Sequence, residues 1–118
     1  MRAAGDGPPV RVEVLGPLRL LVDGVLVDVR GPKRRGALAL LAVAQGRALT
    51  VDHLLDALWP DEVPESGRSA LHSHLSRLRG HLGAAAARRE TRDGAYRLAL
   101  ADGELDAAHA RRLLDGAR

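Results

Sequence analysis

Five histidines, a scatter of serines and a segment dense in arginine are the side chains of this 118-residue chain best equipped for chemistry. A zinc site needs ligands that converge on one point, and a catalytic nucleophile needs a base beside it. His72 and His74 stand two apart in a helical pattern, so they point about 160° from each other and cannot share an ion. His53, His81 and His109 have no partner at ligand spacing. Gly31-Pro32-Lys33 is too short for a phosphate loop and places proline where an N–H donor is needed. No Ser/His/Asp arrangement follows from the spacing, and the absence of cysteine excludes disulfides, thiolate metal sites and cysteine nucleophiles. The expectation is a protein that is not an enzyme and carries no metal or cofactor.

The arginines are more informative. The whole chain carries a formal net charge of only +3. Between Ser66 and Arg97, however, Arg68, Arg77, Arg79, Arg88, Arg89, Arg92 and Arg97 face only Glu90 and Asp93, seven cations against two anions, or +5. Charge concentrated in one segment suits a surface for a polyanion. Trp59 and Tyr96 are the only aromatic residues, so the core is expected to be aliphatic. Single-stranded nucleic acid, which stacks on several exposed rings, is disfavoured as a partner. The longest apolar run, Ala37 to Ala44, is too short to cross a bilayer. The first residues lack the apolar core of a secretory signal, so the expected location is cytoplasmic, without a membrane partner.

The elements that must position this charge can be read from the periodicity. Residues 1–9 are rich in Gly, Pro and Ala and read as a disordered lead-in. Val10, Val12 and Val14 alternate with Arg11 and Glu13. A second short run, Leu18 to Val22, is joined through Asp23-Gly24 to Val25, Val27 and Val29, which predicts three antiparallel strands. Pro32 suits the first turn of a helix running to Ala44, with Gly46 as a stop. Thr50 is a good N-cap for a second helix that ends at Trp59-Pro60. An acidic connection with Asp61 and Glu62 follows, then a third helix capped by Ser66 and stopped at Gly83. Two β-prone segments around Asp93-Gly94 read as a hairpin. Residues 101–118, with a helical pattern from Leu105 to Leu114, are expected to lie outside the unit spanning 10–100.

On the third helix, Leu71, Leu75, Leu78 and Leu82 form one apolar stripe within about 60°. The opposite side carries Ser69, Ser73, Ser76 and Gly80, with His72 on one shoulder and Arg77 on the other. A face this small, polar and free of acids fits a major groove, where Arg offers a fork to guanine. Arg68 and Arg79, beside the apolar stripe, suit the phosphates bordering the groove. His74 is expected to be a half-buried structural residue. A domain turned over to protein interaction would carry acids or large apolar groups on this outer face, and Ser69 to Gly80 has neither. A DNA tether that recruits no polymerase is a milder alternative. Two helices, a polar-faced third helix and a basic hairpin are the order of a winged helix-turn-helix. The fold class is therefore α+β: an N-terminal antiparallel sheet, three helices and a C-terminal hairpin wing.

The chain also resembles the N-terminal DNA-binding domain of the Streptomyces antibiotic regulatory proteins, of the OmpR/PhoB type. The resemblance is carried by Val14-Leu15-Gly16-Pro17-Leu18, Gly31-Pro32-Lys33-Arg34-Arg35-Gly36-Ala37-Leu38, Val51 to Trp59, Ala70-Leu71-His72-Ser73-His74-Leu75-Ser76-Arg77-Leu78-Arg79 and Gly94-Ala95-Tyr96-Arg97-Leu98. It implies that the third helix reads bases through Arg77, with His72, Ser73, Ser76 and Ser69 beside it. Trp59 would approach the DNA backbone, alongside Arg68, Arg79 and Lys33, and Arg92 would enter the minor groove from the wing. The Pro60 to Pro64 loop, through Asp61 and Glu62, corresponds to a contact with the RNA polymerase sigma factor. The implied function is an activator of antibiotic-biosynthesis genes that binds promoter direct repeats, as a head-to-tail dimer on DNA. The wing departs from the family pattern, with Arg92-Asp93-Gly94-Ala95 where Pro-Gly is common. Residues 101–118 resemble the opening of the helical activator domain that follows in the family.

Overall fold

A computed structural model describes residues 8–101 and 103–106. Alternating valines form β1 (Val10–Glu13), with Val10 and Val12 buried. β1 pairs antiparallel with β2 (Arg19–Val22), which pairs with β3 (Val25–Val27). The β2–β3 turn is Asp23-Gly24, with φ of 53° and 77°. Two successive left-handed residues match the twist of paired strands, and Asp-Gly adopts them at little steric cost.

Three helices follow: α1 (Pro32–Val43), α2 (Val51–Leu58) and α3 (Gly67–Leu82). Pro32 lies in the first turn of α1. The Thr50 hydroxyl accepts from the His53 amide at 3.1 Å and caps α2. Ser66 flanks α3 as expected but makes no side-chain cap bond. Gly67 starts that helix because a Cβ there would lie 2.7 Å from Val63 Cγ1. Gly36, inside α1, allows close approach to α2, since a Cβ would meet Leu58 Cδ2 at 2.8 Å.

The core is aliphatic, as the composition requires. Leu38 and Leu41 of α1, Leu54 and Leu58 of α2, and the complete stripe Leu71, Leu75, Leu78 and Leu82 of α3 are buried together with Val10, Val12 and Leu20 of the first sheet. Each fully buried leucine contributes about 1.5–3 kcal/mol relative to exposure.

After a 3-10 segment, Gly83–Arg88, β5 (Arg89–Arg92) and β6 (Ala95–Leu98) make the wing around Asp93-Gly94, with φ of 52° and 73°. The sequence pattern missed β4 (Leu49–Thr50), which pairs with β6 so that the second sheet runs β4-β6-β5. Two residues are too few to show alternation. This strand ties the wing to the start of α2.

The packed unit also extends past its expected boundary at residue 100. Leu105 is 3% exposed within the core, and its neighbour Glu104 accepts the Val12 amide through its backbone carbonyl at 2.7 Å. Asp106 accepts from the amides of Val14 and Leu15. Residues 103–106 are therefore part of the domain. The expected helix to Leu114 lies outside the described residues beyond Asp106, as does the lead-in before Pro8. Among the described residues no helix is long and apolar enough to cross a membrane.

Candidate nucleic-acid interface

With the leucine stripe buried, α3 turns Ser69, Ser73, Ser76, Arg77 and Gly80 to solvent, and no acid lies among them. Arg77 has no acid partner among the described residues, so its guanidinium is available to a ligand. His74 is half-buried between the helices, as expected. Burial pushes its imidazole below the ordinary histidine value, and the charges of Arg34 and Arg77 push it further. Its neutral form is thereby favoured, with Arg34 and Arg77 supplying the positive charge around it.

The other arginines divide into two groups. Arg68 turns toward α2 and meets Asp52 at 2.7 Å, so its expected place on a phosphate is contested by a carboxylate. Arg97 faces Glu90 across the hairpin at 3.5 Å. Arg88, counted among the cations of the +5 segment, is 2% exposed and locked in the interior. Its two terminal nitrogens donate to Glu104 at 2.7 and 3.1 Å, and one also donates to the Ala99 carbonyl at 3.0 Å. The reason is positional: Arg88 ends the 3-10 segment, close to where the chain after β6 runs alongside β1. The +5 segment thus delivers four arginines without an acid partner among the described residues, namely Arg77, Arg79, Arg89 and Arg92.

Two expected backbone contacts come together. Trp59 ends α2 half-buried, and the Lys33 ammonium lies 5.1 Å from its ring centroid while donating to the Leu58 carbonyl. The lysine thus closes the C-terminus of α2 and rests on the ring.

At the other end of the face, His72 Nδ1 is 3.0 Å from the Tyr96 hydroxyl, with the rings edge-on. His72 is exposed, but it is drawn toward the wing and away from the centre of the helix face. The pleat of the hairpin sorts the wing residues. Thr91 pairs with Tyr96 and Arg89 with Leu98, so these four share the face toward α3, while Glu90, Arg92 and Arg97 share the other. Arg92 is exposed at the hairpin end. Asp93, although acidic, serves the turn through its left-handed backbone. Neither Tyr96 nor Arg89 was among the expected site residues, although their diagonal placement on a hairpin was the available signal.

The loop between α2 and α3 leaves Asp61 and Glu62 exposed. A shallow groove beside it is lined by Asp52, Asp56, Val63, Pro64, Glu65 and Arg68. The loop thus carries acidic residues, while the exposed cations of this region lie on α3 and the wing.

An exposed polar helix laid across two packed helices, flanked by a hairpin with cations on both faces, defines a winged helix-turn-helix DNA-binding domain. A family model described as "Transcriptional regulatory protein, C terminal" matches residues 30–98. The chain belongs to that family, of the OmpR/PhoB type, in the form found in the Streptomyces antibiotic regulatory proteins. It is 42% identical over 72 residues to the transcriptional regulatory protein EmbR of Mycobacterium tuberculosis, covering 61% of this chain and 19% of EmbR. It is 38% identical over 108 residues to the regulatory protein AfsR of Streptomyces coelicolor, covering 92% of this chain and 11% of AfsR. A solved structure of Mycobacterium tuberculosis EmbR in complex with a low affinity phosphopeptide superposes with a TM-score of 0.78 at 34% identity, over 84% of this chain and 27% of that one. The chain therefore corresponds to a small part of these regulators' length.

Proposed function

We propose that this domain binds promoter DNA sequence-specifically by placing α3 in the major groove, and that it activates secondary-metabolite biosynthetic genes. The observation that carries this reading is the face of α3: Ser69, Ser73, Ser76 and Arg77 exposed, free of acids, and bordered by arginines without an acid partner among the described residues. Arg77 reads a base by a bidentate contact, and the serines reach neighbouring bases or phosphates. His72 marks the edge of that surface. Arg79, Lys33 and Trp59 meet the backbone, Arg68 joins them by exchanging Asp52 for a phosphate, and Arg92 reaches into the minor groove. Direct repeats in the promoter hold two copies head to tail, and Asp61 and Glu62 present negative charge to a basic surface of the polymerase sigma factor.

Selection of binding sites from a random duplex pool tests the reading directly, and a defined sequence should emerge. Arg77→Ala should weaken binding to that duplex by about 1–3 kcal/mol and relax the preference at one position. A pool that yields no preferred sequence would refute specific binding. An unchanged preference in Arg77→Ala would remove Arg77 from the reading head.

A further inference from the structure

We infer that Arg79 and Arg89 form a two-armed clamp for a single backbone phosphate, at the seam between α3 and the wing, with the Tyr96 ring as its floor. This rests on the duplex-binding reading above and adds to it a site and a residue, Arg89.

Three placements converge on that seam. Along α3, Arg79 follows His72 by seven residues, two turns, and so lies on the same stripe of the helix. That stripe faces the wing, because His72 reaches the Tyr96 hydroxyl at 3.0 Å. On the hairpin, Arg89 shares the face of Tyr96, and its guanidinium carbon lies 5.1 Å from the ring centroid. The Thr91 hydroxyl accepts from Arg89 Nη1 at 2.7 Å, which fixes the fork on the ring.

This arrangement is electrostatically frustrated. Burial draws the Arg89 guanidinium below its ordinary value; the nearby Tyr96 hydroxyl counters this, and the charge of Arg79 lowers it again. No carboxylate among the described residues pairs with either arginine, and Glu90 sits on the opposite face of the hairpin with Arg97. Two like charges near enough to interact, one of them partly desolvated and neither paired with a carboxylate among the described residues, are stabilised by an incoming anion. A phosphodiester supplies acceptor oxygens on two sides, enough to serve two guanidinium forks. The ring beneath holds the Arg89 fork in place in the absence of DNA, so little side-chain freedom is lost on binding.

The test uses the duplex recovered by site selection, with single phosphates replaced in turn by uncharged methylphosphonates. Wild-type protein should lose affinity at one phosphate near the wing edge. Arg79→Gln and Arg89→Gln should each diminish that loss, at the same position, and the double variant should abolish it. Across a salt series the double variant should reduce the slope of log K by about 0.9, the value for one phosphate. Thermal midpoints of the variants report folding, and Arg79→Gln, on an exposed side chain, keeps the test valid if Arg89→Gln unfolds. Sensitivity moving to two different phosphates, a slope change twice as large, or an unchanged profile in either single variant would overturn the clamp while leaving duplex binding intact. Failure of wild-type protein to select any duplex would overturn both. Stabilisation of wild type but not of the double variant by inorganic phosphate, with duplex binding equal in the two, would assign the pair to a free anion and overturn the backbone assignment.

Discussion

Replacing Arg88 by methionine should unfold the domain more readily while leaving the charge presented to DNA unchanged. In the structure Arg88 and Glu104 are 2% and 9% exposed. The Glu104 carboxylate accepts from two nitrogens of Arg88, from the Val10 amide at 2.8 Å and from the Ala101 amide. Removing one member of a buried pair costs about 3–5 kcal/mol, mostly because the other charge is left in a low dielectric. Glu104 keeps its two backbone donors, which places Arg88→Met toward the lower end, about 3 kcal/mol. For a domain of this size each kcal/mol corresponds to a midpoint shift of about 4–8 °C, so the loss should be roughly 12–24 °C. Urea unfolding followed by Trp59 fluorescence is a suitable assay, since this is the only tryptophan. Arg88→Met with Glu104→Gln should lose less than the sum of the single changes by about 0.5–3 kcal/mol. Acid adds a second readout. Burial raises the Glu104 carboxyl, but the hydrogen bonds from Arg88, Ala101 and Val10, together with the Arg88 charge, outweigh this and hold it below the ordinary value. A lowered folded-state pKa contributes stability above the unfolded value of about 4.3, and that contribution is lost as pH falls through the folded value. The wild type should therefore lose stability below about pH 4.3, and the double variant should lack this part of the decline. A stability change under about 1 kcal/mol in Arg88→Met, with a reduced salt slope for DNA binding, would show that Arg88 is a surface cation and refute the reasoning.

The remaining predictions concern the two faces. Arg92→Ala should weaken binding to all duplexes and lower the salt slope by about 0.9. Arg97→Ala, whose guanidinium already faces Glu90, should change the slope less, and an equal or greater effect would refute the sorting of wing residues by the pleat. Reversing the charges of Asp61 and Glu62 should cut transcription in a reconstituted assay and spare DNA binding. Equal loss of both would end the polymerase-contact reading.

The architecture was largely legible because its local signals are independent of tertiary context. The 3.6-residue leucine spacing fixes which side of α3 is buried, and with it which side faces solvent. Pro32, Thr50 and the two Asp-Gly pairs mark their elements through backbone preferences that any environment preserves. β4 and the segment at 103–106 escaped because each is a two- to four-residue stretch that pairs with backbone 45 or more positions away in sequence. The contacts of Tyr96 with His72 and Arg89 escaped for a related reason: they depend on what lies across the hairpin and on α3, which spacing along one strand does not encode.

Charge shows the same division most clearly. By itself the sequence determined that cations concentrate between Ser66 and Arg97, that the core is aliphatic and that a polar, acid-free helix face exists. Only the tertiary structure decided which arginines are available. Arg88 and Arg89 are adjacent in sequence, yet one is consumed by Glu104 in the interior while the other rests on Tyr96 at the surface. A strand reverses its side-chain direction at every residue, so where the 3-10 segment gives way to β5 determines which of the two is buried. Net charge per segment is additive along the chain, whereas the availability of a charge depends on partners that folding brings from elsewhere.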